Sequence, residues 1–530
     1  MNKLPTEVLD LIASHCAYHR RNDEVVPDYT TMRDGTLISK RFYPIFMRRL
    51  YRDIDIRDIS NFLHPDSLQR FLSTMSQAPS LGSYIRILTG DETRRHNTTV
   101  LARQLFSGAV ENCLRGLYSA RFVEHLAVQA LYHGDKAHVM LALLLALAPN
   151  LEKLNCALDG KGRCVVNSVF DYKAQASLAD HEDAARILPR LKDLHTYYNT
   201  KLDDEAAACP PCHVDMSFLV DDLKILFMGG MRSSTHTSAS PPLPTLLYPP
   251  SSRTLQLTRL HLDDCRMSSE LFRDILLFSP SLRTLILANH HFAPATQALW
   301  TSQMTLASTG QALRDYGQSI TGLEIQVLRD TRHAHGSFYD GGEGHESEGN
   351  VEWGCLGSLR DLAKLTQLRL DIQDVIGGTT EGGAGSALRL KDALPAGLLS
   401  VHFTWTPSAS LRYRDDGEFA GADEQGGNDN DSEEEEEEED DDDDDEKVEP
   451  SKSLSKIVPA LGSQRKMPPA LQDVVELMTD MERSLLKDIT LDGPADVIAR
   501  HLRQLRASVP GWKCYDTLAP ASIDMFRHSA

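Results

Sequence analysis

Apolar positions along this chain follow two rhythms, one helical and one alternating. In LPTEVLDLIASHC, the residues Leu4, Val8, Leu9, Ile12 and Cys16 lie along one side of a predicted helix. Pro5 sits in the first turn, where its missing N–H costs nothing, and Glu7 lies near the positive end of the helix dipole. A second apolar piece, LISKRFYPIFMRRLYRDIDI, starts at Leu37. It intersperses Leu37, Ile38, Phe42, Ile45, Phe46, Leu50 and Tyr51 with Ser39, Lys40, Arg41, Arg48 and Arg49. Pro44 is expected to end one helix there and begin another.

The alternating rhythm occupies the middle of the chain. Four stretches share a Pro-x-Leu-x-x-Leu spacing or a near version, PSLGSY at Pro79, PNLEKL at Pro149, PRLKDL at Pro189 and PSLRTL at Pro280. Each reads as a helix stopped by Pro and followed by a short strand with apolar residues facing one way. VEHLAV at Val123, VDDLKI at Val220, LTRLHL at Leu257, ITGLEI at Ile320, LTQLRL at Leu365 and LLSVHF at Leu398 carry the strand half alone. Leu257, Leu260 and Leu262 recur as Leu282, Leu285 and Leu287 after 25 residues, an interval within the leucine-rich-repeat range. Elsewhere the interval reaches 45 residues, from Ile320 to Leu365, so the repeat is degenerate and carries inserted loops.

Those inserts show in composition. The stretch from Gly229 to Arg253 is rich in Ser and Pro, and glycine-rich loops surround Gly341 and Gly377. From Arg414 to Pro468 the chain passes through the acidic run Glu433 to Glu446, whose like charges repel and bury nothing, and disorder is expected there. After it, LQDVVELMTDMERSLLKDI places Leu471, Val474, Val475, Met478, Met481, Leu485 and Ile489 on one helical face. A second helix is expected from Pro494 through Leu505, and the pair would cap the open end of a solenoid.

Charge narrows the function classes. The net charge of −21 includes 14 consecutive acids between Glu433 and Glu446, and the remainder carries −7. Neither value suits nucleic-acid binding, which needs clustered Lys and Arg. Glu7 and Asp10 interrupt the first apolar stripe, so no export signal is expected. The longest apolar run, Val139 to Ala148, has half the length of a membrane span. Nine dispersed cysteines make no disulfide framework and fit a cytoplasmic or nuclear setting.

The order LPTEVLDLI, LISKRFYPIF and LYRDIDI, with leucine-rich units behind, resembles an F-box protein of the fungal kind. The likeness is close over the first 56 residues and loose over the next 350. That resemblance implies an N-terminal module that binds the Skp adaptor of a Skp–cullin–F-box ubiquitin ligase, and a following region that recruits a protein target for ubiquitination. By position, Leu4, Pro5, Val8, Leu9 and Ile12 correspond to first-helix contacts with the adaptor. Ile38, Ser39, Lys40, Arg41 and Phe42 match the second motif, and Leu50 with Tyr51 match the closing Leu-Trp position. One departure is AYHRRNDEVVPDYTTMRDG, which lengthens the connection between the two motifs by about a dozen residues, at an entropic cost that grows slowly with length.

The expected architecture is α/β. A small all-helical F-box-like module over 1–56 precedes an irregular leucine-rich-repeat-like solenoid over 57–413, a disordered acidic segment over 414–468 and a helical segment over 469–530. An alternative keeps the chain as a leucine-rich interaction scaffold whose N-terminal helices only cap the solenoid. Cys209-Pro210-Pro211-Cys212-His213 matches a haem-attachment or half-zinc spacing, but the exported setting and the second ligand pair are missing. The doublet His290-His291 reads as surface. Without a phosphate loop, a nucleophile elbow or a zinc helix motif, neither catalysis nor a cofactor or metal is expected in this chain.

Overall fold

The computed structural model describes residues 4–21, 24–56, 67–91, 108–133, 136–159, 165–179, 181–199, 222–230, 254–265, 267–290, 292, 303–327, 354–376, 389–404, 473–477, 488–492, 512–517 and 523–528. The N-terminal module runs α1 (Thr6–Cys16), β1 (Tyr18–Arg21), β2 (Glu24–Pro27), α2 (Tyr29–Ile38) and α3 (Tyr43–Leu50). Asp28 caps α2, its carboxylate accepting from the Thr31 N–H at 2.9 Å. Pro44 falls in the first turn of α3.

Beyond the module lies one sheet of 13 strands. In chain order it takes β3 (Asp53–Asp55), β4 (Ile87–Asp91), β5 (Lys153–Asp159), β6 (Asp193–Asn199), β7 (Ile225–Gly229) and β8 (Arg259–Asp263). It continues through β9 (Thr284–His290), β10 (Gly322–Val327), β11 (Gln367–Asp371), β12 (Ser400–Thr404) and β13 (Asp488–Asp492). Every pairing from β3 to β13 is parallel, and each strand lies beside its predecessor in sequence. Two further strands, β14 (Trp512–Thr517) and β15 (Ile523–His528), close that edge, β15 pairing antiparallel with both β13 and β14.

Register explains the core. Leu88, Leu154, Leu194, Leu226, Leu260, Leu285, Leu323, Leu368, Val401 and Ile489 face one another strand by strand, none more than 3% exposed. Alternation at period two puts these residues on one face and leaves Asn155, His195, Phe227, His261, Glu324, Arg369 and His402 in the neighbouring row on the other.

Helices cover the leucine side unevenly. Between β3 and β4 lies α4 (Ser67–Gln77), and between β4 and β5 lie α5 (Gly108–Leu117), α6 (Ala120–His133) and α7 (Lys136–Leu147). From Val139 onward α7 is buried on every side, which accounts for the apolar run. Further along, α10 (Ser269–Phe278) follows the Ser268 cap and α11 (Leu306–Tyr316) follows a Thr305/Ser308 capping box. The connections between β5 and β6 hold α8 (Val165–Leu178) and the short α9 (Glu182–Arg186), while α12 (Ile372–Ile376) and α13 (Leu390–Ala393) separate β11 from β12. The buried Asp183 carboxylate accepts from the Ser119 N–H at 3.0 Å, from the Ser119 hydroxyl and from Tyr172 Oη at 3.2 Å, tying α6, α8 and α9 together.

This arrangement corrects the expected fold. The chain is an α/β protein built on one continuous run of parallel strands, and an all-helical module followed by an irregular leucine-rich-repeat-like solenoid is not its architecture. The leucine spacing is a strand signal and carries nothing about the connections, which among the described residues hold anything from one helix, between β8 and β9, to three, between β4 and β5. The module contains the β1–β2 hairpin, so it is not all-helical. In place of terminal helices, the described C-terminal residues form β13, β14 and β15, with only 473–477 helical after the acidic segment. VEHLAV belongs to α6, because apolar spacing of three suits a helix as well as a strand. PSLGSY forms a 3-10 turn before β4. His290 is wholly buried against Phe292, with ring centroids 4.8 Å apart. The acidic segment, the second C-terminal helix and Cys209 to His213 lie outside the described residues.

Candidate docking surface on the N-terminal module

The module has a hydrophobic core of its own. Leu9, Ala13, Ala17, Met32, Phe42, Ile45 and Phe46 form it, with Leu4, Tyr18, Tyr29 and Leu50 packed around the edge. The first stripe therefore divides. Leu9 points inward at 1% exposure, while Val8 and Ile12 remain 38% and 36% exposed, beside Leu11 at 59%. Pro5 and Cys16 are exposed and Leu4 is half-buried. Successive helical residues step 100° round the axis, so Leu9, Ala13 and Ala17 share the inner line and Val8, Leu11 and Ile12 the outer one. The small alanines carried no signal in the apolar pattern, yet both are fully buried.

The second motif divides in the same way. Leu37 and Ile38 end α2 at 80% and 64% exposure. Ser39 is extended (φ −163°, ψ 160°) and its hydroxyl accepts from the Phe42 N–H at 3.3 Å, turning the chain towards α3. Phe42 drops into the core at 5% exposure and packs on Phe46 with centroids 5.7 Å apart. Lys40 and Arg41 stay in solvent. Tyr43, the first residue of α3, presents its ring at 52% exposure. Thr36, Leu37, Ser39, Lys40 and Tyr43 line an open recess of about 460 Å³.

Two arginine clamps hold α1 against the second motif. Arg41 Nη2 donates to the Leu4 carbonyl at 2.7 Å. Arg49 Nη2 reaches both the Asp10 carbonyl, at 3.1 Å, and the Asp10 carboxylate, at 2.9 Å, with only 11% of its own side chain exposed. Gly35 lets α2 approach α3, since a Cβ there would stand 2.6 Å from the Phe46 ring. The long inter-motif connection is ordered as the β1–β2 hairpin and α2, and it spends its extra length on a joint with the sheet. Tyr18 Oη donates to the Asp53 carboxylate at 3.0 Å and Tyr29 Oη to the Asp53 carbonyl at 2.7 Å. Burial pushes the Asp53 carboxyl pKa up, against the lowering effect of the Tyr18 hydrogen bond and of Arg52 and Arg49.

The proposed contact residues thus separate by role. Val8, Ile12, Ile38 and Lys40 face outward, Leu9 and Phe42 hold the module together, and Arg41 braces it. Leu50 lies half-buried on the module core, whereas Tyr51 stacks on Phe71 at 6.0 Å and belongs to the sheet core. Leu11, Leu37 and Tyr43 join the outward set, although the family resemblance assigns none of the three an adaptor contact. Spacing alone does not reveal which of two adjacent apolar residues faces out. Among the described residues no group of three or more His, Cys, Asp or Glu side chains is placed to hold a metal ion. No helix among them is long and apolar enough to cross a membrane. No protein-family model matches the chain and no curated protein matches its sequence.

Proposed function

We propose that this chain is the substrate-receptor subunit of a Skp–cullin–F-box ubiquitin ligase in the cytoplasm or nucleus. Its N-terminal module docks the Skp-type adaptor and its sheet region recruits the protein to be ubiquitinated. The observation that carries the reading is the outward apolar set, Val8, Leu11, Ile12, Leu37, Ile38 and Tyr43, on a module whose core is already complete without them. Fully burying a side chain of this kind from solvent is worth roughly 1.5 to 3 kcal/mol, and a partner's helical surface would supply most of it at Leu37 and Ile38 and a smaller share at Val8 and Ile12. Together with the ordered motifs LPTEVLDLI and LISKRFYPIF, the exposed set favours an adaptor of the Skp type. Catalysis resides in partner subunits under this reading, and the chain contributes proximity and orientation.

A second reading, in which the module only covers the first edge of the sheet, draws support from the Tyr18 and Tyr29 bonds to Asp53. The two make different predictions for a purified Skp-type adaptor mixed with the full chain and run on size-exclusion chromatography. Adaptor docking gives a co-eluting complex; separate elution at micromolar concentrations rejects it in favour of the edge cover.

A further inference from the structure

The two edges of the parallel sheet differ in charge. At the carboxyl edge, β3, β4, β5, β8, β11 and β13 each end on Asp. At the amino edge stand cations: Lys192, Lys224 and Arg283 immediately precede β6, β7 and β9, and Arg259 opens β8. Backbone hydrogen bonds tie these positions into one line. The Lys224 N–H donates to the Lys192 carbonyl, Thr258 to the Lys224 carbonyl and Arg283 to the Thr258 carbonyl, each at 2.8 Å. With neighbouring strands about 4.8 Å apart, the four cations span about 14 Å of edge.

All four side chains are exposed, and none makes an ion pair with a described residue. The acids around them are mostly engaged elsewhere. Glu152 is held by Arg86 at 3.4 Å, and Asp193 by Lys153 at 3.1 Å and His195 at 2.8 Å. Asp222, exposed just ahead of Lys224, offsets one positive charge and leaves a surplus. Helix ends do not account for it. The partial negative charge of a helix C-terminus acts within its last turn, whereas Lys192 and Arg283 lie beyond the ends of α9 at Arg186 and α10 at Phe278. Fields in physiological salt fade over about 8 Å, so a ligand at this edge meets the line of cations rather than the net charge of the whole chain.

An extended polypeptide turns every second side chain the same way, about 6.6 Å apart, and 14 Å of edge holds about three of them. Acids at those positions match the cations in sign and in reach. We infer that the amino edge of β6 to β9 binds an acidic segment of a partner polypeptide lying across the strands, its carboxylates meeting Lys192, Lys224, Arg259 and Arg283. Only the naming of that partner as the ubiquitination target rests on the receptor reading above.

Fluorescence anisotropy on the full chain tests the edge with a labelled Glu-Ser repeat peptide and its uncharged Gln-Ser counterpart. The glutamate peptide is expected to bind about tenfold more tightly at about 50 mM salt, a margin that narrows several-fold at about 200 mM. Lys224→Gln with Arg283→Gln is expected to remove most of that margin. Arg33→Gln with Arg115→Gln, an equal loss of charge at exposed side chains elsewhere, is expected to keep it. Thermal unfolding checks each fold, and Lys192→Gln with Arg259→Gln repeats the test on the other two cations if the first pair melts early. Equal binding of the two peptides overturns the inference, as does a margin that survives both edge pairs or is lost equally in the control pair. An oligo-dT strand bound as tightly as the glutamate peptide overturns it too, by making the edge a surface for any polyanion. A tenfold gain in glutamate-peptide affinity on deleting Glu433 to Glu446 overturns the partner assignment and gives the edge to the chain's own acidic run. A wild type that binds the glutamate peptide as described but never the adaptor removes the receptor reading and leaves the site standing.

Discussion

The N-terminal module and the parallel sheet solve the burial problem with opposite economies. In the sheet, a leucine or its equivalent from every strand between β4 and β13 disappears into one continuous core. In the module, seven buried residues close a small core and leave six large apolar side chains in solvent. A sheet that grows strand by strand gains burial with each addition, whereas three short helices have too little interior for every apolar side chain they carry. The module's surplus is thus a consequence of its size, and under the proposed receptor role an adaptor surface would cover it.

Core deletions should separate the two regions most sharply. Phe272→Ala, wholly buried in the sheet core, and Phe46→Ala, at 3% exposure in the module, are each expected to cost about 3 to 5 kcal/mol. Their consequences should differ. In chemical denaturation followed by hydrogen exchange, Phe272→Ala lowers protection along β8 and β9, while Phe46→Ala lowers it in α1 to α3 and leaves β8 and β9 protected. Equal loss in both regions after Phe46→Ala would show that the two cores unfold as one.

A smaller effect belongs to Gly35→Ala. The added methyl meets the Phe46 ring at 2.6 Å, and overpacking of this kind costs about 1 to 3 kcal/mol, read as a lower midpoint for the module alone. Replacing Arg49 by Met removes the Asp10 clamp but keeps the stem's packing; a loss of about 1 kcal/mol is expected, read from the same module midpoint, because Asp10 is half exposed.

Two aspartates set the smallest contrast, and their signs are opposite. Burial raises the Asp53 pKa at the joint between module and sheet. Its protonated form favours the fold, so the joint is best held below the ordinary carboxylate pKa and weakens as pH rises through the elevated one. On β6, burial would raise the Asp193 pKa too, but hydrogen bonds from His195 and Lys153 outweigh it and hold the value low. That carboxylate stabilises the sheet above its ordinary pKa and the contribution is lost as pH falls through the depressed one. Between pH 6 and 3, then, Asp53→Asn should flatten a rise in module stability and Asp193→Asn should flatten a fall in sheet stability, both measured by thermal unfolding.

What the sequence makes legible follows the range of each interaction. Strand positions β8 and β9 are readable because alternation is local, and Leu260, Leu262, Leu285 and Leu287 all lie where that alternation places them. Connections are not readable from it, and for that reason the repeat pattern suggested a solenoid where the chain builds a continuous parallel sheet with unequal helical crossings. Within the module, Val8 and Leu9 are neighbours of equal hydropathy, and the pattern contains nothing to say which faces in. The alanines at 13 and 17 mark the inward line, since they share one buried cluster with Leu9, Met32 and Phe46. The hairpin and its Tyr18 and Tyr29 bonds to Asp53 span 35 and 24 residues, beyond any local signal.

The burial of Leu9 also decides where the docking claim is tested, since a charge there would unfold the module and lose binding for a trivial reason. Val8→Asp with Ile38→Asp changes only exposed side chains. Isothermal titration of the full chain with a purified Skp-type adaptor is the direct measurement. If this face docks the adaptor, the pair weakens binding at least tenfold while the thermal unfolding of the chain is unchanged, an effect in line with truncating residues at an interface centre. Wild-type affinity retained by the pair, or heat of binding absent from the wild type itself, would contradict it.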